Sequence, residues 1–236
     1  METPWTLDEL AHAGPEHLDP DFVAGYDRKA GYEAGMGDVD ADLDELTRRG
    51  LDRTATLVDL GAGTGRLALA AAARFGRVVA VDVSPAMQRV VRERAASAGL
   101  TNLLCVRAGF LSYEHTGAPA DAVCTRNALH QLPDFWKVMA LERVARLLRP
   151  GGVLRLRDLI FDFRPDAAEE VIGRWLDRAA SDPARGYTRA DFAEHLRTEY
   201  STFRWLLEPM LDAAGFEIVQ VDFRDSIYGA YTCVKR

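Results

Sequence analysis

The fold of this chain follows from residues 58–65, which read VDLGAGTG. An apolar, β-branched run at 56–61 overlaps the start of this stretch, and an alanine- and leucine-rich run at 66–75 follows its end. The order of these runs predicts a strand, then a tight turn, then a helix. Glycines in such a turn let a ligand approach main-chain N–H groups. The next apolar run carries Asp82, nineteen residues after Gly63, where an acidic side chain can accept from both hydroxyls of a ribose. Together these features predict a nucleoside-bearing ligand.

Outward from this turn, short β-branched runs alternate with longer helical segments. Strands are predicted at 56–61, 77–83, 103–108, 121–127 and 153–159, and helices at 66–75, 85–99 and 134–152. This alternation predicts βαβ units and a mostly parallel sheet. A further helix is predicted near 203–214, and two apolar runs at 216–223 and 228–235, joined by a short turn, predict an antiparallel hairpin.

Composition excludes several classes of protein. The 236 residues hold 29 Lys and Arg against 36 Asp and Glu, a net charge of -7, which disfavours non-specific binding to nucleic acid or an anionic membrane. No apolar stretch approaches the length of a membrane span and the N-terminus lacks a secretory pattern, so a cytoplasmic location is expected. The three cysteines form no C-x-x-C, and no metal site is predicted.

The spacing of the glycines separates two kinds of nucleoside ligand. A dinucleotide fingerprint, G-x-G-x-x-G, would place its third glycine at position 66, which is Arg66. Asp59, two positions before the first glycine, is awkward beside a pyrophosphate but suits the ammonium group of an amino acid. A ligand with a ribose and an amino-acid end is S-adenosylmethionine (SAM).

These motifs resemble those of the class I SAM-dependent methyltransferases. VDLGAGTGRLALAAA (58–72) is similar to the first motif of that family, VVAVDVSPAMQRV (78–90) to its second, and residues 127–158 to the stretch over strands four and five. Small-molecule enzymes of the ubiquinone and menaquinone methyltransferase type are the nearest in character. The resemblance is strong over roughly residues 20–160. It implies an α/β fold with a Rossmann-like, seven-stranded, mostly parallel sheet, an antiparallel C-terminal hairpin and helices on both faces.

The resemblance also implies how SAM and its product, S-adenosylhomocysteine, are bound. Asp59 accepts from the methionine amino group, Gly61 and Gly63 let the backbone pass under the ligand, and Asp82 holds the ribose. The other cofactor-binding residues that it implies are Val83 and Met87 against the adenine, the backbone of Phe110, Asn127 in the loop beside the cofactor, and Tyr26. Residues 107–110 read RAGF, so the acidic residue that often accepts from the adenine amino group is missing after strand three.

Tyr26 lies with Arg28 and Tyr32 in FVAGYDRKAGY (22–32), which resembles the segment that closes over the cofactor in this family. The alternative is an amphipathic helix that packs on the sheet. An acidic run from Asp38 to Glu45 is predicted to be a solvated helix start and not a metal site.

Two candidates for catalysis, His130 and Asp158, follow strands four and five on the carboxyl side, where open α/β sheets bind ligands. His130 is a possible general base because its ordinary pKa lies near neutrality, or else it caps the following turn. Asp158 either deprotonates or orients the acceptor, or pairs with an arginine. Four further histidines have no spacing typical of a metal set and receive no role: His12, His17, His115 and His195.

A single methyltransferase domain is expected over residues 1–236. Its expected parts are an N-terminal helical cap (1–55), a cofactor-binding core (56–159), an insert over the acceptor site (160–205), and a helix with the terminal hairpin (206–236). Four aromatic residues of the insert and its border either line an acceptor pocket or pack in the core: Trp175, Tyr187, Tyr200 and Trp205.

In-line methyl transfer from SAM to a small-molecule acceptor is the leading hypothesis. An RNA or protein methyltransferase is the runner-up, although residues 125–130 read TRNALH and lack the N-P-P-Y type sequence associated with the amino groups of bases. A non-catalytic SAM-binding protein is a third possibility, and an NAD-dependent oxidoreductase ranks last because of the glycine spacing.

Overall fold

The computed structural model describes residues 4–30 and 37–236. The strands are β1 (Thr56–Leu60), β2 (Arg77–Asp82), β3 (Leu103–Arg107), β4 (Ala120–Arg126), β5 (Leu148–Phe161), β6 (Thr202–Phe203), β7 (Phe216–Arg224) and β8 (Tyr228–Lys235). The α-helices of the described residues are α1 (Pro20–Lys29), α2 (Gly37–Arg48), α3 (Arg66–Ala72), α4 (Pro85–Ser97), α5 (Asp134–Leu147), α6 (Ala168–Asp177), α7 (Arg189–Thr198) and α8 (Arg204–Ala213). Short 3₁₀ turns lie at Leu10–His12, Pro15–Leu18, Leu129–Gln131 and Pro165–Ala167.

The sheet has the strand order β3-β2-β1-β4-β5-β8-β7, with the two-residue β6 paired to the end of β5. Strands β1 to β5 pair in parallel, whereas β8 is antiparallel to both β5 and β7. The predicted α/β fold with a mostly parallel sheet and an antiparallel C-terminal hairpin is therefore confirmed. After β1 the chain continues to β2 and β3 on one side of β1, and β4 then pairs with β1 on the other side, so the strand order reverses between β1 and β4. In sheets of this kind, ligands bind in the crevice at the carboxyl ends of the strands beside this reversal.

Helices cover both faces of the sheet. On one face α2, α3 and α4 bury Leu43, Leu67 and Val91, and on the other face α5 and α8 bury Leu141 and Leu207. The two faces follow from the alternation of apolar side chains along the strands. No helix of the described residues is both long and apolar enough to cross a membrane.

Pro150 and Gly151 predict that the helical segment 134–152 stops after Leu148, and α5 ends one residue earlier. The start of β5 differs from the prediction of a strand at 153–159. The helix ends at Leu147, and β5 already begins at Leu148, which pairs with Ala120. The reason is Pro150, which disfavours helical backbone at the residue before it, together with Gly151 at φ 72°. The proline and glycines thus belong to an irregular start of β5.

Part of the acidic run of α2 is buried, so the prediction of a solvated helix start is wrong for Asp42. Its side chain is fully buried and accepts from Nε of Arg155 at 2.7 Å and Nε of Arg157 at 2.6 Å. Asp40 pairs at 2.8 Å with Arg74, which follows α3, and this pair is partly exposed. The ion pairs link α2 to β5 and to the segment after α3. The side chain of Asp38 lies outside the described residues.

Candidate cofactor and active site

A pocket lies at the carboxyl ends of β1 to β4, below the N-terminal segment. All nine residues that the sequence predicts to bind the cofactor line it: Tyr26, Asp59, Gly61, Gly63, Asp82, Val83, Met87, Phe110 and Asn127. The structure thus brings these residues together, and their individual contacts with a cofactor stay predictions. Tyr32 lies outside the described residues.

The glycine turn shapes the floor of this pocket. Gly61 and Gly63 have φ of 71° and 54°, the left-handed region that side chains other than glycine rarely adopt. A Cβ at Gly61 would lie 2.3 Å from the Cβ of Ala128, so packing there requires glycine. A Cβ at Gly63 would have no atom within 4 Å, because that side of the residue faces open space. Gly63 therefore leaves room for a ligand above the backbone.

Asp82 is held by two backbone hydrogen bonds. Its Oδ2 accepts from the N–H of Gly63 and its Oδ1 from the N–H of Ser84, both at 2.8 Å. Burial raises the pKa of Asp82, and these two bonds oppose that increase. Each carboxylate oxygen has a second lone pair, so the fixed carboxylate can still accept two hydroxyl groups.

Asp59 is the most unusual carboxylate of the site. It is buried, and its Oδ2 has no hydrogen-bond partner among the described residues. Burial raises the pKa of Asp59 to about 7; nearby Arg126 lowers it, and the charge of Asp82 adds to the increase. A buried acceptor without a partner is costly, and a cation that contacts it would remove this cost. This orphaned oxygen fits the ammonium group of an amino acid.

Glu9 is a pocket residue that the sequence reasoning missed. Its carboxylate accepts from the N–H of Leu111 and the hydroxyl of Ser112, each at 3.0 Å. A Cβ at Gly109 would lie 2.3–2.5 Å from this carboxylate, so Glu9 occupies the space of the side chain that position 109 lacks. Burial raises the pKa of Glu9, and its hydrogen bonds lower it. The glycine at position 109 was the local feature of the sequence that indicated space for a side chain from a distant residue.

Further lining residues were not found by sequence reasoning. Ala13 and His17 of the N-terminal segment and Gln131 of the turn after β4 line the pocket, and no local motif marks them. Helix α1 is fastened over the glycine turn because Asp27 accepts from the hydroxyl of Thr64 at 2.5 Å and pairs with Arg94 at 2.7 Å.

His130 and Asp158, the predicted catalytic pair, do not line the pocket. Nδ1 of His130 hydrogen bonds to Asp158, and its Nε2 lies 2.9 Å from Oε2 of Glu199. Burial by itself lowers the pKa of His130, but the two carboxylates outweigh it and raise the pKa to about 10. Burial raises the pKa of Asp158, and the imidazolium of His130 outweighs this effect and lowers it. His130 and Asp158 are therefore bound to each other, and His130 is also bound to Glu199. Their role as a base stays a prediction.

The four aromatic residues named for the insert do not line the cofactor pocket. Trp175 is buried, stacks on Phe192 at 4.3 Å and donates to the hydroxyl of Tyr228. Tyr200 and Trp205 are 41% and 57% exposed, so they do not form a closed roof over the cofactor pocket. Trp175 therefore packs in a separate apolar cluster beneath the insert.

Comparisons with known proteins identify the family of this chain. The profile of the family described as "Methyltransferase domain" matches residues 57–152. The trans-aconitate 2-methyltransferase of Azoarcus sp. (strain BH72) is 30% identical over 182 residues, 73% of this chain and 68% of that protein. The 27-O-demethylrifamycin SV methyltransferase of Amycolatopsis mediterranei (strain S699) is 31% identical over 143 residues, 56% of this chain and 52% of that protein.

A solved structure shares the fold over nearly the whole chain. The magnesium protoporphyrin IX methyltransferase of Synechocystis PCC 6803, with bound SAM, superposes with a TM-score of 0.67 at 16% identity, over 99% of this chain and 100% of that one. SAM carries an ammonium group and a ribose, the two groups that the sequence predicts to bind Asp59 and Asp82. The chain belongs to the class I SAM-dependent methyltransferases, and SAM is its methyl donor.

Proposed function

We propose that this enzyme transfers the methyl group of SAM to a small organic molecule. The cover over the pocket carries the proposal. Glu9, Ala13, His17 and Tyr26 all precede the sheet in the chain, and they line the same pocket as the glycine turn. A nucleic acid or a folded protein would have to displace this cover to reach the donor, whereas a small molecule can enter beside it.

Charge and relatives support the same class of acceptor. A net charge of -7 disfavours a polyanionic acceptor such as RNA. The relatives described above are named for trans-aconitate, 27-O-demethylrifamycin SV and magnesium protoporphyrin IX, all of them small molecules. The quinone type of acceptor that the sequence resemblance indicates stays a prediction.

Methyl transfer from SAM requires the protein mainly to position the two reactants. When bound, SAM supplies a sulfonium methyl group whose leaving group departs neutral, so no general acid is needed. Asp59 would hold the ammonium group and Asp82 the ribose, which fixes the donor at both ends. Met87 and Phe110 are buried and line the pocket, so they would exclude water from the donor. Alignment of two reactants in this way can supply much of the rate enhancement.

Adenine recognition would use Glu9 in place of the missing acidic residue after β3. Its carboxylate lies where a side chain at Gly109 would begin, and a carboxylate can accept from the exocyclic amino group of adenine. The nearby backbone of Phe110 and the side chain of Met87 complete this end of the pocket.

A general base is needed only if the acceptor must lose a proton. The base role predicted for His130 and Asp158 requires that His130→Ala and Asp158→Asn each lower kcat by about 10²–10⁴-fold. Their mutual hydrogen bond and their absence from the pocket lining favour a positioning role, for which KM or stability would change and kcat would be largely retained.

The experiment is a methyl-transfer screen with isotope-labelled SAM. Metabolite extract, bulk RNA and unfolded cell protein are offered separately to the parent enzyme and to Asp82→Ala, which should remain folded and lose donor affinity. Label in the metabolite fraction, absent with the variant, supports the proposal. Label that enters only RNA or protein overturns it.

A further inference from the structure

Three side chains that lie far apart in the sequence meet beside the cofactor pocket. His130 follows β4, His195 lies in the last turn of α7, and Glu199 directly follows that helix. Oε2 of Glu199 lies 2.9 Å from Nε2 of His130 and 2.8 Å from Nδ1 of His195. All three atoms lie within 4.8 Å of one another.

We propose that His130, His195 and Glu199 bind one divalent transition-metal ion of the Zn²⁺ class. Two imidazoles and one carboxylate are a ligand set that Zn²⁺ takes in proteins, with a fourth position left for water or another ligand. Hard cations such as Mg²⁺ prefer oxygen ligands, so the two imidazoles select against them. Sequence spacing indicated no metal, because the third ligand comes from a turn 65 residues before His195.

The outer nitrogen of each imidazole is already held. Nδ1 of His130 hydrogen bonds to Asp158, and Nε2 of His195 lies 2.7 Å from the hydroxyl of Ser201. Gln131 donates at 2.9 Å to Oε2 of Glu199, the oxygen that also lies nearest to the two imidazoles. When each imidazole donates through its outer nitrogen, the inner nitrogen presents its lone pair to the centre of the cluster. Carboxylate or hydroxyl partners of this kind orient metal-binding histidines.

Asp158 is itself fixed in place. Its carboxylate accepts from the N–H of Leu159 at 2.8 Å and from the N–H of His130 at 3.2 Å. The segment that carries Glu199 is anchored to the same turn, because the N–H of Tyr200 donates to the carbonyl of His130 at 2.8 Å. These hydrogen bonds therefore connect Asp158, His130 and the segment that carries Glu199.

The two distances to Glu199 require only a small expansion. Ligands of tetrahedral Zn²⁺, at about 2.0–2.1 Å from the ion, lie about 3.3 Å from each other. The two contacts with Glu199 are 2.9 and 2.8 Å, so the cluster would open by about half an ångström per contact. The side chains of His195 and Glu199 are 13% and 20% exposed, which leaves a route for the ion.

Charge favours the ion as well. Asp158 and Glu199 bring two negative charges to a region where His130 is only 7% exposed. A divalent cation would compensate both carboxylates and link α7 to the end of β4. Gln131 lines the cofactor pocket and also contacts Glu199, so the ion would lie beside the cofactor pocket.

The test measures metal binding without donor or acceptor, so its result does not depend on the proposed acceptor. Protein free of any polyhistidine tag and treated with a chelator is titrated with Zn²⁺ in a calorimeter and with Co²⁺ in a spectrophotometer. We expect one ion per chain and the visible absorption of four-coordinate Co²⁺. Mg²⁺ should give neither signal.

Variants assign the ligands. His195→Ala and Glu199→Gln should each weaken Zn²⁺ binding by more than about 100-fold, and Ser201→Ala by about 10-fold, since outer partners typically contribute 10- to 100-fold. His115→Ala is the matched control, because His115 contacts Tyr113 and Ala118 outside this cluster. Circular dichroism checks that each variant is folded.

Two results would overturn the proposal. One is a parent protein that binds no Zn²⁺ and gives no Co²⁺ absorption, which needs no variant to interpret. The other is Zn²⁺ binding of unchanged affinity in both His195→Ala and Glu199→Gln, which would place the ion elsewhere.

Discussion

The buried carboxylate of Asp59 makes donor binding dependent on pH. Burial raises its pKa to about 7, and the groups that face it are Arg126 from β4, which lowers the pKa, and Asp82 from β2 and Asp42 from α2, which raise it. The ammonium group of S-adenosylhomocysteine should bind the ionised form of Asp59 and hold it ionised. Because the free protein takes up a proton on Asp59 as the pH falls, affinity should fall with it.

The size of the effect follows from linkage. With a pKa of about 7 in the free protein and a much lower value in the complex, the Kd at pH 5.5 should exceed that at pH 7.5 by about 25-fold. If Asp59 had an ordinary pKa of about 3.9, the Kd would hardly change over this range. The two cases are therefore well separated.

The assay is calorimetry with S-adenosylhomocysteine between pH 5.5 and 7.5. A matched ligand, 5′-methylthioadenosine, keeps the ribose and adenine but lacks the amino-acid end, so it reports any contribution from Asp82. Asp59→Asn should bind S-adenosylhomocysteine about 10- to 100-fold more weakly at pH 7.5, the equivalent of a lost hydrogen bond to a charged group, and with little dependence on pH. The reasoning is refuted if both ligands show the same pH dependence, or if the 25-fold change persists in Asp59→Asn.

Three further predictions concern single side chains. Asp82→Ala should weaken S-adenosylhomocysteine binding by about 10- to 100-fold with little change in the urea midpoint, and parent-like affinity in the folded variant would contradict the ribose role. Glu9→Ala should abolish a preference for S-adenosylhomocysteine over its inosine analogue, measured as the ratio of the two Kd values; a preference that survives would assign adenine recognition to other groups. Asp42→Ala should lower the free energy of unfolding by about 3–5 kcal/mol, because it leaves the buried Arg155 without its partner, and urea denaturation that shows a loss below 1 kcal/mol would count against this account.

Local patterns in the sequence were enough for the central part of the fold. The alternation of strands and helices, the glycine turn at 61–65 and the position of Asp82 all depend on neighbouring residues or on one βαβ unit. In such a unit the connection is short and of one hand, so the residues that end two adjacent strands must meet at the same edge. The C-terminal hairpin was predictable for a similar reason, since its two strands are joined by a short turn.

Other features depended on which elements pack together, and periodicity carries no such information. Glu9 reaches Leu111 across 102 positions, Asp42 reaches Arg155 across 113, and His195 meets His130 only because α7 lies against the end of β4. A helical pattern predicts that one face of α2 is buried, but it does not predict that the buried Arg155 donates to Asp42. The glycine turn could therefore be predicted from sequence, whereas the N-terminal cover, the buried ion pairs and the histidine–glutamate cluster were decided by tertiary packing.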